Sequence, residues 1–88
     1  VVDGICHAMF PKVTFVNGAV VEKNFYSYNM LKIKDAPLDV VVQFVASEEA
    51  PTGLGEPALP PIAAALSSAI FAATGKRIRK MPFVEQMG

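Results

Sequence analysis

The spacing of apolar residues changes along the chain, and each change predicts a different element. In Val1–Phe10, Ile5, Met9 and Val2 recur at three- and four-residue intervals, predicting the last turns of a helix. Pro11 ends it, because the residue before a proline is pushed out of the helical region. Lys12-Val13-Thr14-Phe15-Val16 and Ala19–Phe25 are rich in β-branched and aromatic residues, and Asn17-Gly18 lies between them. Asn-Gly accepts the two positive φ angles of a tight hairpin turn, so this segment predicts a β-hairpin. Tyr26–Ala36 has no period and predicts irregular chain, with a turn at Asp35-Ala36-Pro37. Leu38–Ala46 alternates. Val40, Val42, Phe44 and Ala46 point one way, and Asp39, Val41, Gln43 and Val45 the other. This predicts a third strand, packed on one face and partly covered on the second.

Residues 47–61 carry Pro51, Pro57, Pro60 and Pro61 with Gly53 and Gly55. That composition predicts a stiff loop, and its length is that of a functional loop rather than a mere connector. Pro60 or Pro61 suits a first helical turn, and Gly75 suits a helix end, so a helix is predicted from Ile62 to Thr74. Ile62, Leu66, Ala69, Ile70 and Ala73 make one stripe. The opposite side, Ala64, Ser67, Ser68 and Phe71, has no charge, which predicts burial on most sides.

Composition sharpens this picture. Among 88 residues, 52% are hydrophobic and 18% charged, against about 25% charged in ordinary domains. Disorder is excluded, since it needs low hydrophobicity and high charge. A small free domain has the most surface per volume and should be polar, so the apolar excess predicts a piece of a larger polypeptide. A start at Val1 without methionine is read the same way. Eight Lys and Arg balance eight Asp and Glu, so no overall field favours nucleic acid or an anionic membrane. No run of apolar residues reaches the length of a membrane span.

Candidate chemistry is sparse. His7 is the single histidine and Cys6 the single cysteine, which excludes a disulfide framework and a zinc site. The two are neighbours, so their side chains diverge and do not make a nucleophile–base couple. Phe25, Tyr26 and Tyr28 are read as packing residues. Lys76, Arg77, Arg79 and Lys80 follow the predicted helix end, where the helix dipole favours positive charge. One segment stands out, Thr52-Gly53-Leu54-Gly55-Glu56-Pro57. It is no nucleotide loop, because the strand–helix register around it is wrong and prolines interrupt it. Gly53 and Gly55 permit close approach of backbone to a ligand, and Pro57 fixes Glu56 in an extended conformation. A general base needs such an aim and an apolar surround, for which Leu54, Pro57, Ala58 and Leu59 are at hand.

The run Gly53-Leu54-Gly55-Glu56-Pro57-Ala58-Leu59-Pro60-Pro61-Ile62-Ala63, continued by Ala69–Arg79, resembles the C-terminal part of the molybdenum-binding large subunit of the xanthine dehydrogenase/aldehyde oxidase family. It is most similar there to the isoquinoline 1-oxidoreductase β-subunit and related bacterial aldehyde dehydrogenases. Asn17-Gly18, Asn24-Phe25, Tyr28, Leu31 and Asp35-Ala36-Pro37 resemble the stretch before the motif. Leu54 stands where relatives often have valine, Ala64 where they often have proline, and Ser67-Ser68 where they often have Ala-Asn. The resemblance implies that Glu56 is the catalytic base beside molybdenum and that Gly53, Leu54 and Gly55 lie against the cofactor. It implies molybdopterin cytosine dinucleotide, water as the source of oxygen, and [2Fe–2S] clusters on a partner subunit. No residue of this chain is expected to ligate metal.

The expected architecture is α+β: a hairpin and third strand packed on one buried C-terminal helix, with residues 1–88 a single C-terminal fragment of a molybdopterin-binding domain. The expected function is that of a molybdenum hydroxylase acting on an N-heterocycle or aldehyde, in either the cytoplasm or the periplasm of a bacterium. The chain alone is expected to be inactive, to bind no cofactor, and to self-associate or expose a large apolar patch. A second reading is a small non-enzymatic scaffold module whose apolar helix docks a partner.

Overall fold

A computed structural model describes residues 1–87. Helix α1 spans Val2–Met9 and leads into a short antiparallel ladder, β1 (Phe15–Val16) and β2 (Ala19–Val20). A 3-10 turn follows at Ile33–Asp35, and a long irregular segment runs to α2 (Ile62–Thr74). The short helix α3 (Val84–Met87) comes last.

The hairpin forms where the turn chemistry demands it. Asn17 and Gly18 take φ of 50° and 77°, and Phe15 faces Val20 while Val16 faces Ala19. One further backbone bond, from Val21 N–H to the Thr14 carbonyl at 2.9 Å, continues the ladder. There the strands stop, short of their predicted length. The Glu22 carboxylate accepts the Thr14 N–H and the Thr14 hydroxyl, each at 2.7 Å. A side chain thus occupies the place that a backbone carbonyl would take.

The two bonds from Thr14, the backbone one first, hold the Glu22 carboxyl below the ordinary glutamate value. A carboxylate whose pKa is lowered by folding stabilises the fold above its unfolded pKa. That contribution is lost as pH falls through the folded value. The Thr14 amide resonance should therefore stay constant from neutral pH through the normal glutamate range and shift only below it. An NMR titration checks this, and Glu22→Ala should remove the step.

The core lies between α1, α2 and the segment that follows α2. Ala8, Ile70, Ile78 and Phe83 are buried together, with Met9, Ala63 and Leu66 packed against them. The Phe83 N–H donates to the Ala8 carbonyl at 2.9 Å, satisfying a group left open at the end of α1. The Ser67 hydroxyl donates to the Ile78 carbonyl at 2.8 Å and fastens the returning chain to α2. Gly75 at φ 74° ends α2 in the left-handed conformation, and the Arg77 guanidinium then lies 3.5 Å from the Phe71 ring centre. Lys12 pairs with Glu85 at 2.9 Å on the surface.

On α1 the buried residues are Gly4, Cys6 and Ala8 rather than the larger Ile5 and Met9, which are half-buried. Small residues let α1 approach α2. A Cβ built on Gly4 would lie 2.8 Å from Ile62 Cγ1 and 2.9 Å from Ile62 Cβ. Alanine normally improves a helix interior over glycine by about 1 kcal/mol. Here overpacking, costing about 1–3 kcal/mol, opposes and outweighs that gain. Gly4→Ala is thus expected to lower the thermal midpoint, and a raised midpoint would show that the helices part freely.

The architecture differs from the expected one in three respects. Residues 38–46 form no strand, and among the described residues the sheet contains β1 and β2 alone. A strand exists only through a partner's backbone groups, and no ladder reaches this segment. Among the described residues α2 packs chiefly on α1 rather than on the hairpin. And α2 is covered on one side: Ile70 is buried, but Ala64, Ala65, Ser68, Ala69, Ala72 and Ala73 are exposed. The chain has too few packing elements to surround a helix. Its exposed area is 7417 Å², where a compact monomer of this mass shows about 5,000 Å². Its radius of gyration is 16.1 Å, against about 12 Å for a compact domain of this length. No described helix is long and apolar enough to cross a membrane.

Candidate functional site

The loop singled out by its glycines and glutamate forms one wall of an open concavity of about 500 Å³. Thr52, Gly53, Gly55, Glu56, Pro57 and Pro60 line it. Gly53 has φ 125°, a conformation that strains any residue with a side chain. Gly55 has no such constraint, and a Cβ on either glycine would meet nothing within 4 Å. The chain's own packing therefore does not require glycine at position 55. An open face without side chains is what a closely approaching flat ligand needs.

Glu56 is tied to α2 through the backbone. Its carbonyl accepts the Leu59 N–H at 3.0 Å, and the Leu59 carbonyl accepts the Ile62 N–H at 3.3 Å. The Pro61 carbonyl then accepts the Ala65 N–H at 3.0 Å, within the first turn of the helix. Two consecutive turns thus connect the glutamate to the residue that rests against Gly4.

The structure brings Gly53, Gly55 and Glu56 to one wall and leaves Leu54 off it, 76% exposed. The apolar surround expected for Glu56 is not assembled within this chain, since Ala58 is exposed and Leu59 is 39% exposed. Thr52 and Pro60 join the wall. Pro60 carries a sequence signal, lying one helical turn beyond Glu56, but its proline character points first to helix initiation. Cys6 is buried and its Sγ accepts the Leu31 N–H at 3.3 Å. His7 is exposed beside Asp3 at 3.6 Å, so the two neighbours do not form a couple. Phe25 and Tyr26 are almost fully exposed rather than packed.

Among the described residues no group of His, Cys, Asp and Glu could hold a metal ion. The wall offers one carboxylate, the Thr52 hydroxyl, two prolines and the bare backbone of two glycines. That donor set suits a base standing beside a bound group, with the group held by other walls, and does not suit a metal-binding cluster.

No family model matches the chain, and no solved structure gives a significant match. Curated relatives do. The chain is 39% identical over 79 residues, 90% of its length, to a segment of the membrane-bound aldehyde dehydrogenase [pyrroloquinoline-quinone] of Gluconacetobacter polyoxogenes. It is 33% identical over 86 residues, 98% of its length, to one of the nicotinate dehydrogenase subunits of Pseudomonas putida. It is 28% identical over 82 residues, 93% of its length, to the beta chain of the isoquinoline 1-oxidoreductase of Brevundimonas diminuta. These matches span 10%, 7% and 10% of the relatives. The chain is therefore similar to a short segment, a tenth or less, of much longer dehydrogenase and oxidoreductase polypeptides.

Proposed function

We propose that the chain acts within a longer subunit of a molybdenum-dependent oxidoreductase, as the wall that carries its general base, Glu56. The observation that supports this reading most directly is the placement of Glu56 on the concavity, between glycines with open faces and a proline that restricts its backbone. The substrate class is an aldehyde or an electron-poor N-heterocycle, the types named for the relatives. Both present a carbon that accepts a water-derived oxygen nucleophile and gives up two electrons.

Glu56 takes the proton that this nucleophile loses. When bound, a molybdenum cofactor would supply the two-electron acceptor, and [2Fe–2S] clusters on a partner subunit would take the electrons onward. Gly53 and Gly55 offer backbone against the cofactor without side chains in the way. Pro57 and the two turns to Ile62 keep the carboxylate from swinging with the loop. The remaining walls, and the apolar enclosure that a base requires, come from the rest of the longer polypeptide.

Metal and pterin analysis of the longer subunit, together with turnover of its Glu56→Gln variant, tests the reading. Molybdenum with an organic pterin is expected. Pyrroloquinoline quinone in its place, as in the name of the first relative, would overturn the cofactor assignment.

A further inference from the structure

We propose that residues 38–46 form a β-strand completed by an open sheet edge of the longer subunit, with an apolar layer behind it. The segment alternates as a strand does, yet among the described residues it pairs with no other strand. Its apolar side chains lie in water: Val41 is 75% exposed, Val42 63%, Phe44 75% and Val45 93%. Both alternating sets are exposed, although one is wholly apolar and the other half apolar. Such a pattern calls for a packed layer on the Val40, Val42 and Phe44 side and partial cover on the Val41 and Val45 side.

Two observations point to the occupant. The chain exposes about 2,400 Å² more than a compact monomer of its mass, an area of the order that a large stable interface buries. The matched segment is also 10% of two of the relatives, so ample chain exists there to provide a sheet. A second copy of this chain fits less well. Two copies paired edge to edge would make a two-stranded ribbon with both apolar faces still wet, and such ribbons are marginal in water. The inference rests on the proposed membership in a longer polypeptide and is independent of the role of Glu56.

Hydrogen exchange on the 88-residue chain and on the longer subunit tests it. Amides 39–46 should exchange near unfolded rates in the short chain. In the longer one they should slow by at least about 10³-fold, as sheet amides do. Val42→Lys should leave the helix content and melting of the short chain unchanged, while lowering the melting temperature of the longer one. Equal exchange in both settings would overturn the proposal. So would protection that appears in the short chain as its concentration rises, which would assign the segment to a second copy. If 39–46 is unprotected while Glu56→Gln is inactive, the strand fails and the function stands. If 39–46 is protected while Glu56→Gln is fully active, the reverse holds.

Discussion

Glu56→Gln in the longer subunit should lower kcat by about 10²–10⁴-fold, the range for loss of a general base. Glutamine keeps the size and hydrogen-bonding capacity of the side chain but cannot accept the proton. Glu56 is exposed in this chain and its bonds to the fold run through its backbone carbonyl. The substitution should therefore change stability by less than about 0.5 kcal/mol, and molybdenum content should remain normal. Glu48 and Glu49 precede the glycines and lie off the concavity wall. Glu48→Gln and Glu49→Gln should stay within a few-fold of wild type. Steady-state oxidation with an artificial electron acceptor, normalised to molybdenum, separates these outcomes. A fully loaded Glu56→Gln enzyme with near-normal turnover would remove the glutamate from the chemistry.

Phe83→Ala is expected to abolish cooperative melting of the 88-residue chain. Truncating a buried phenylalanine costs about 3–5 kcal/mol. Domains of this length hold about 4–13 kcal/mol in all, and among the described residues of this one the hydrophobic core is Cys6, Ala8, Ile70, Ile78 and Phe83 alone. It belongs at the low end of that range. Far-UV circular dichroism on heating should show a sloping line in place of a transition. A milder deletion, Ile70→Val, should cost about 0.5–1.5 kcal/mol and keep the transition. A sharp melt for Phe83→Ala within a few degrees of wild type would mean that the core lies elsewhere.

What the sequence makes legible is local. Asn17-Gly18 declares its turn because two adjacent residues must both take positive φ. The bounds of α2 are legible because Pro61 and Gly75 act on their own backbone. The turn at Gly53 is legible for the same reason, since its φ of 125° is one that only glycine takes without strain. Ile78 and Phe83 are not. Ile78 is flanked by Arg77 and Arg79, and its burial depends on a chain reversal and on the hydroxyl of Ser67 eleven residues earlier. Residues 38–46 fail as a strand for the complementary reason: alternation describes which faces want cover and says nothing of who provides the ladder. The buried face of α1 departs from the Ile5 and Met9 stripe because close helix contact selects small residues, Gly4 and Ala8, over large ones.

The carboxylate that closes the hairpin has a consequence for solubility. Phe15, Val16 and Val21 make an apolar ribbon in water, the composition from which cross-β stacks grow. Growth requires a long flat edge whose N–H and C=O groups can template another chain. This ribbon offers few rungs, because at Thr14 the next donor is already spent on a charged side chain. Glu22 thus ends the ladder from inside the hairpin, and the apolar ribbon stays too short to present a long flat edge.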